Sequence, residues 1–181
     1  MAKIYTKTGD AGQTGFADGS RVVKSDLRID AYGDVDETNS AIGVARAFVE
    51  HIEIRGFLPG IQADLFAIGA QLADPKYDEK TRKDKTRISE ARLVEYENLI
   101  DKLESNLPPL RTFILPAGNK GGACLHLARC ICRRAERKCV ALSSWSKISP
   151  LIVKFLNRLS DLLFVMARSE NQRTGEQQIE W

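Results

Sequence analysis

The stretch SPLIVKFLNRLSDLLFVMAR, residues 149–168, constrains this chain more than any other. Ser149 and Pro150 make a good N-cap and first-turn proline, and they open a helix that is apolar around most of its circumference. Such a helix needs other helices on nearly every side. Four further segments of bundle length supply them. YGDVDETNSAIGVARAFVE opens with Asp34 three residues before Glu37, a capping-box-like start, and places Val35, Ala41, Ile42 and Ala45 at helical spacing. GFLPGIQADLFAIGAQLAD reads as a helix starting near Pro59 and ending before Pro75. A third runs from about Ser89 to Asn106, where Leu-Pro-Pro stops it, and a fourth from about Gly122 to Leu142. With short connectors and almost no strand signal, the pattern predicts an all-α, five-helix bundle. No repeat or linker divides it, so residues 1–181 form one domain, with an N-terminal arm over 1–33 and the bundle over 34–173.

Length and charge narrow the function classes. A chain of 181 residues can bury a core without disulfides. Against 24 acidic residues stand 27 Lys and Arg, a balance too even to argue for nucleic acid. The absence of a signal-like or membrane-spanning apolar run makes the cytoplasm the expected compartment and a membrane partner unexpected. Cys124, Cys130, Cys132 and Cys139 form no CxxC and scatter around the fourth helix, which predicts buried small apolar residues instead of a zinc site or disulfides. The charged run PKYDEKTRKDKTR reads as an exposed loop.

The opening IYTKTGDAGQTGF is glycine-rich, with Gly9, Gly12 and Gly15 among hydroxyls, Lys7 and Asp10. It is neither a Walker nor a Rossmann loop: no Gly-Lys-Ser/Thr occurs, the flanking KIYTK is short and polar, and no helix comes directly after it. Free amides at the glycines, the hydroxyls of Thr6, Thr8 and Thr14, and the charges of Lys7 and Lys24 could form an anion nest. The same residues also suit an ordinary turn-rich arm, the plainer reading of this stretch alone.

Two helices shift that balance. In HLARCICRRAERKCVAL, Arg129, Arg133 and Arg137 recur every four residues, with Glu136 and His126 on the same side and Arg134 and Lys138 flanking. Stacked guanidiniums repel unless anions lie between them, and their forked donors match phosphate. A solvated basic face would carry the same pattern. In the fifth helix, Asn157 and Asp161 sit one turn apart on an apolar background, with Lys154 and Ser160 near that edge, and buried polar groups need partners. Two helices with opposed polar stripes favour a site. Asp36 and Glu37 add acids near a helix start, where they also suit the macrodipole.

Taken in order, YTKTGDAGQT, RVVKSDLRIDAYGDVDETNSAIG, FILPAG, RRAER and FLNRLSD resemble the PduO-type ATP:cob(I)alamin adenosyltransferases over nearly the whole chain. The resemblance implies a homotrimer with ATP between subunits. Thr6, Lys7, Thr8, Gly9, Asp10, Gly12, Thr14, Gly15 and Lys24 would hold the triphosphate, with Arg133, Arg134, Glu136 and Arg137 reaching it from the adjoining subunit. Asn157 would also contact the nucleotide. Asp36 would pair with Arg133 across the boundary, Asp161 would join that polar network, and Arg129 would lie near the site. Phe113 would exclude the lower axial ligand of the corrin, giving four-coordinate cobalt that is easier to reduce. ATP, Mg²⁺ and cobalamin are the implied ligands, with no side-chain metal centre. A reductase and an adenosylcobalamin-dependent enzyme are the implied partners. The arginines, Lys7, Lys24 and Mg²⁺ would stabilise the leaving triphosphate. The chain departs from the family pattern at Thr38, at Ala117-Gly118 and in GFADGS, none of which removes a charged site residue. A non-catalytic protein that binds ATP and cobalamin and delivers the cofactor is the competing reading. RNA binding by residues 129–138 lacks interleaved aromatics on the arginine face.

Overall fold

The computed structural model describes residues 4–5, 7–78 and 85–181. Five helices dominate it: α1 (Leu27–Phe48), α2 (Ile52–Ala73), α3 (Glu90–Glu104), α4 (Lys120–Ser143) and α5 (Pro150–Arg173). Helix α1 packs on α2 and α4, α4 also packs on α5, and α5 carries α3 on another side. As its composition requires, α5 is the most enclosed element. Phe155, Leu156, Leu159, Leu162, Leu163 and Met166 are all fully buried. Phe155 stacks obliquely on Tyr96 of α3 at 4.8 Å, and the Tyr96 hydroxyl donates to Asp64 of α2 at 2.9 Å.

Two helices start earlier than their sequence signals imply. Helix α1 begins at Leu27, not Asp34, because Asp26 is the N-cap and its carboxylate accepts the Arg28 amide at 2.8 Å. Residues 27–33, expected in the arm, are therefore the first two turns of α1. Asp34 and Glu37 instead face Arg134 of α4. Helix α2 begins at Ile52, and Pro59 lies within it. Buried Ile54 and Leu58 hold the turn before the proline in place despite its missing donor. Replacing Asp26 by Ala removes one cap and is expected to destabilise the protein by about 1 kcal/mol, lowering Tm by about 2–4 °C in a thermal melt.

The arm contains a small hairpin that sequence periodicity did not reveal. Strands β1 (Gln13–Gly15) and β2 (Arg21–Val23) pair antiparallel, with Thr14 opposite Val22. Three-residue strands are too short to show alternation. In the turn, Asp18 accepts from both the amide and the hydroxyl of Ser20, which pulls its carboxyl down to about 2. The hairpin is tied to the end of α2 by Ala17 N donating to Ala73 O at 3.0 Å and by Lys76 beside Asp18 at 3.2 Å.

All four cysteines are free. Cys132 and Cys139 are buried, and burial pushes both thiols up, Cys139 to about 12. Cys130 departs from the expected burial: it is exposed, since it lies beside Leu127 and Arg129 on the outward flank of α4.

Candidate functional site

The α4 arginines divide between two uses. Arg134 pairs with Asp34, at 3.2 Å, and with Glu37, while Lys138 holds Asp30 at 2.7 Å, so these two cations clamp α4 to α1. Arg129, Arg133 and Arg137 make no carboxylate contact among the described residues. Arg133 and Arg137 are exposed, and together with Glu136, Val140 and Asn157 they line a pocket of about 260 Å³. There the Asn157 amide donates to Glu136 Oε1 at 3.1 Å. This arrangement fixes the carboxylate beside two free guanidiniums, a surface suited to a polyanion.

Arg133 also faces a second, larger cleft of about 890 Å³, within the range of small-molecule sites. Its walls come from α3 (Ile100, Glu104), the connector Leu110–Ile114, α4 (Arg129, Arg133) and α5 (Arg158, Asp161, Phe164, Val165). Phe113 stands on the rim with 80% of its surface exposed. Asp161 is held by Arg158 at 3.3 Å, and Arg158 in turn by Glu97 at 2.9 Å. The chain thus brings Phe113, Arg129, Arg133 and Asp161 to one cleft, and Arg133, Glu136, Arg137 and Asn157 to an adjoining pocket. Glu104, Arg111, Arg158 and Phe164 also line the cleft. Sequence reasoning passed over them, although Arg111 lies two residues before Phe113 and Arg158 directly follows Asn157. Lys154 belongs elsewhere and pairs with Glu90 at 3.4 Å.

His126 does not share the exposure of the arginine row. It is 2% exposed and packs near Phe164, with ring centroids 5.9 Å apart and neither ring nitrogen hydrogen-bonded among the described residues. It lies on the same side of α4 as Arg133 and Arg137 but two to three turns nearer the helix start, where Phe164 of α5 covers that side. Burial, aided by the charge of Arg129, lowers its pKa from 6.5 to about 4. The unfolded chain therefore binds more protons than the folded one between those values, and stability is lost as pH falls from about 6.5 to about 4. The contribution approaches about 3 kcal/mol. Denaturant titrations are expected to show a steeper loss of stability over that window in the parent than in His126→Leu.

The arm presents its own surface. Lys7 has a left-handed backbone (φ 59°), as does Gly12 (φ 78°), and the turn closes through Gly12 N donating to Gly9 O at 3.2 Å. Lys24 packs onto this turn: its amide donates to Gly12 O at 2.9 Å, and its ammonium lies against Gly9, where even a Cβ would sit 3.3 Å away. Arg21 donates to the Thr8 carbonyl at 2.6 Å and shapes the turn from the other side. Gly9, Asp10, Gly12, Thr14 and Gly15 lie in or next to this turn, while Thr6 falls outside the described residues. No described arm residue lines either arginine pocket.

Asp36 is exposed and lies on neither arginine surface. It borders a groove of about 360 Å³ between α1 and α2, beside Phe66, which is 70% exposed. The glycine turn of the arm, the arginine row and the Asp36 carboxylate thus line no common pocket among the described residues. No group of three metal-binding side chains occurs among the described residues.

The cobalamin adenosyltransferase family model matches residues 4–170. The chain is 44% identical to a corrinoid adenosyltransferase of Mycobacterium leprae, over 94% of this chain and 92% of that protein. It is 42% identical to the corrinoid adenosyltransferase MMAB of Mus musculus, over 98% of this chain and 76% of the relative. Among solved structures, a phenylalanine-to-alanine variant of a PduO-type ATP:corrinoid adenosyltransferase from Lactobacillus reuteri, complexed with cobalamin and ATP, superposes with a TM-score of 0.92. Identity is 36%, with 99% of each chain covered. An arginine-to-lysine variant from the same organism, complexed with ATP, superposes with a TM-score of 0.89 at 36% identity, over 98% of this chain and 99% of that one.

Proposed function

The chain belongs to the cobalamin adenosyltransferase family and carries out ATP-dependent adenosylation of cobalamin, and we propose that its active site is completed between subunits of a homotrimer. The observation that carries this reading is the separation of the anion-binding turn from the arginine row. Each half suits phosphate, yet among the described residues the two line no common pocket within one chain. A head-to-tail ring of copies joins such halves, and the resemblance to the PduO-type enzymes implies three copies in it. In that ring the arm of one subunit, with Thr6 to Gly15 and Lys24, holds the triphosphate against Arg133, Arg137, Glu136 and Asn157 of the next. Asp36, exposed beside Phe66, meets the α4 arginine row of the neighbour, where Arg129 and Arg133 line the cleft and pair with no carboxylate among the described residues.

The cleft beside Phe113 takes the corrin. Its apolar wall of Ile100, Leu110, Ile114, Phe164 and Val165 suits the ring, and Arg111 and Arg158 suit polar groups at its edge. Reduced cobalt supplies the electron pair that forms the Co–C bond at the 5′-carbon of ATP. The C5′–O bond breaks, and triphosphate leaves with the electron pair of that broken bond. No side chain has to act as nucleophile. The protein contributes prepositioned donors, the forked guanidiniums of Arg133 and Arg137 and the ammoniums of Lys7 and Lys24, aimed where the leaving charge develops. Arg134 acts indirectly, by fixing α4 to α1. Mg²⁺ fits as a companion of the triphosphate, since it keeps water and phosphate oxygens as most of its ligands and needs no three-residue cage.

An anaerobic absorbance assay with ATP, Mg²⁺ and chemically reduced cobalamin tests the reaction. Light-sensitive adenosylcobalamin formed only with protein and ATP is the expected result. ATP binding without a Co–C bond would instead identify a delivery protein. No helix among the described residues is long and apolar enough to cross a membrane, in keeping with a cytoplasmic setting. The electron donor and the enzyme that receives the product are a reductase and an adenosylcobalamin-dependent enzyme.

A further inference from the structure

Phe113 is exposed, and its ring packs into no apolar cluster. Its position is therefore set by the backbone around it. That backbone, from Leu107 to Asn119, lies outside helices and strands; Leu107 packs on the core, and the polar contacts that flank Phe113 at Pro108 and Ala117 come from one turn of α5.

Arg168 and Asn171 make those contacts. Arg168 is 1% exposed, a buried guanidinium that makes no salt bridge among the described residues and feels the Glu104 carboxylate only at longer range. Its Nη2 donates to the Pro108 carbonyl at 2.6 Å, and its Nε donates to Gln178 Oε1 at 2.8 Å. Asn171, three residues on, donates from Nδ2 to the Ala117 carbonyl at 2.8 Å and accepts the Asn119 amide at 3.1 Å. The loop is shaped around this amide. A Cβ at Gly118 (φ +122°) would lie 2.1 Å from Asn171 Oδ1, and one at Gly122 would lie 1.9 Å from it. Gln178 begins a short extended segment that grips the loop between these anchors. Trp181 N donates to Phe113 O and Leu115 N to Ile179 O, both at 2.9 Å, around an antiparallel bridge of Ile114 with Glu180.

We propose that Arg168 and Asn171 are positioning residues for the adenosylation reaction. Arg168 fixes the loop five residues before Phe113 and, through Gln178, seats the strand that holds the Phe113 and Leu115 backbone. Asn171 fixes it four residues after. A buried guanidinium donating to a carbonyl and an amide oxygen gains no ion pair, so its place in the core is explained by the geometry it imposes on the loop. The inference rests on the assignment of the Phe113 cleft to the corrin.

The test compares the parent with Phe113→Ala, Arg168→Met, Arg168→Lys, Asn171→Ala and Gln178→Ala. It reads the spectroscopic signature of four-coordinate cob(II)alamin, the KM values for cobalamin and ATP, and hydrogen exchange at the Leu115 and Trp181 amides. Arg168→Met is expected to speed exchange at both amides by about tenfold, as expected for a lost charge-assisted hydrogen bond. It also lowers the four-coordinate fraction and raises KM for cobalamin, with KM for ATP unchanged within about twofold. Arg168→Lys recovers part of the signature. Asn171→Ala changes the signature in the same direction. Should Arg168→Met fail to fold, Gln178→Ala carries the test, because it removes the link to Arg168 from a partly exposed side chain. Wild-type exchange and signature in Gln178→Ala and Asn171→Ala would overturn the proposal, provided Phe113→Ala loses the signature. If Phe113→Ala keeps it, the assignment of the cleft itself falls, and the proposal with it.

Discussion

Arg133→Ala is expected to lower turnover by at least about a hundredfold, the scale seen when one prepositioned donor to a developing anion is removed. Arg133 is the residue common to both pockets of the site, facing Asn157 and Glu136 on one side and Phe113 and Asp161 on the other. Its guanidinium is exposed and makes no carboxylate contact among the described residues, so the fold has little stake in it. Stability should stay within about 0.5 kcal/mol of the parent, as for most surface substitutions. Arg133→Lys keeps a point charge but loses the planar fork, and should recover only part of the activity. Steady-state rates on protein of parental Tm check the assignment; near-normal turnover in Arg133→Ala would remove this residue from the centre of the mechanism.

Phe113→Ala should leave ATP binding unchanged and cripple the reaction when cob(II)alamin is supplied under mild reduction. The side chain lies on the rim of the cleft and 80% exposed, so its removal opens no core cavity. On the role proposed for Phe113, the substitution would take away the apolar group that keeps the lower ligand from the cobalt. Restoring that ligand raises the barrier to reduction while leaving attack by already reduced cobalt less affected. The signature is therefore a split: a loss of at least about tenfold from cob(II)alamin and a smaller one from pre-reduced cob(I)alamin. An equal loss from both would show that Phe113 serves corrin binding in general.

The bundle was legible because its signals are long and local. The apolar circumference of α5, Ser149-Pro150 at its start and Leu-Pro-Pro after α3 each fix an element without reference to the rest. The early starts of α1 and α2 were not legible for two reasons. The Asp34–Glu37 pair mimics a capping box that tertiary ion pairs with Arg134 in fact use, and a proline inside a helix reads as a boundary until buried neighbours hold it. At the site, four-residue spacing exposed the arginine row, but it could not separate Arg134, spent on Asp34 and Glu37, from Arg133, left free. Nor could it show that Phe164 of α5 covers that side of α4 where His126 lies. The roles of Arg168 and Asn171 were invisible because their partners are backbone groups of a loop some 50 to 60 residues away in sequence.

Coexpression of two inactive variants tests the shared site most directly. Lys24→Ala disables the arm, and Arg133→Ala disables α4. If each site draws its arm from one subunit and its arginines from the next, random assembly from equal amounts of the two chains leaves intact pairs at about a quarter of all interfaces, with one in every mixed trimer. The assembly should then regain about that share of parental activity, although neither variant is active alone. Mixed trimers that form and remain inactive would contradict a site completed between subunits.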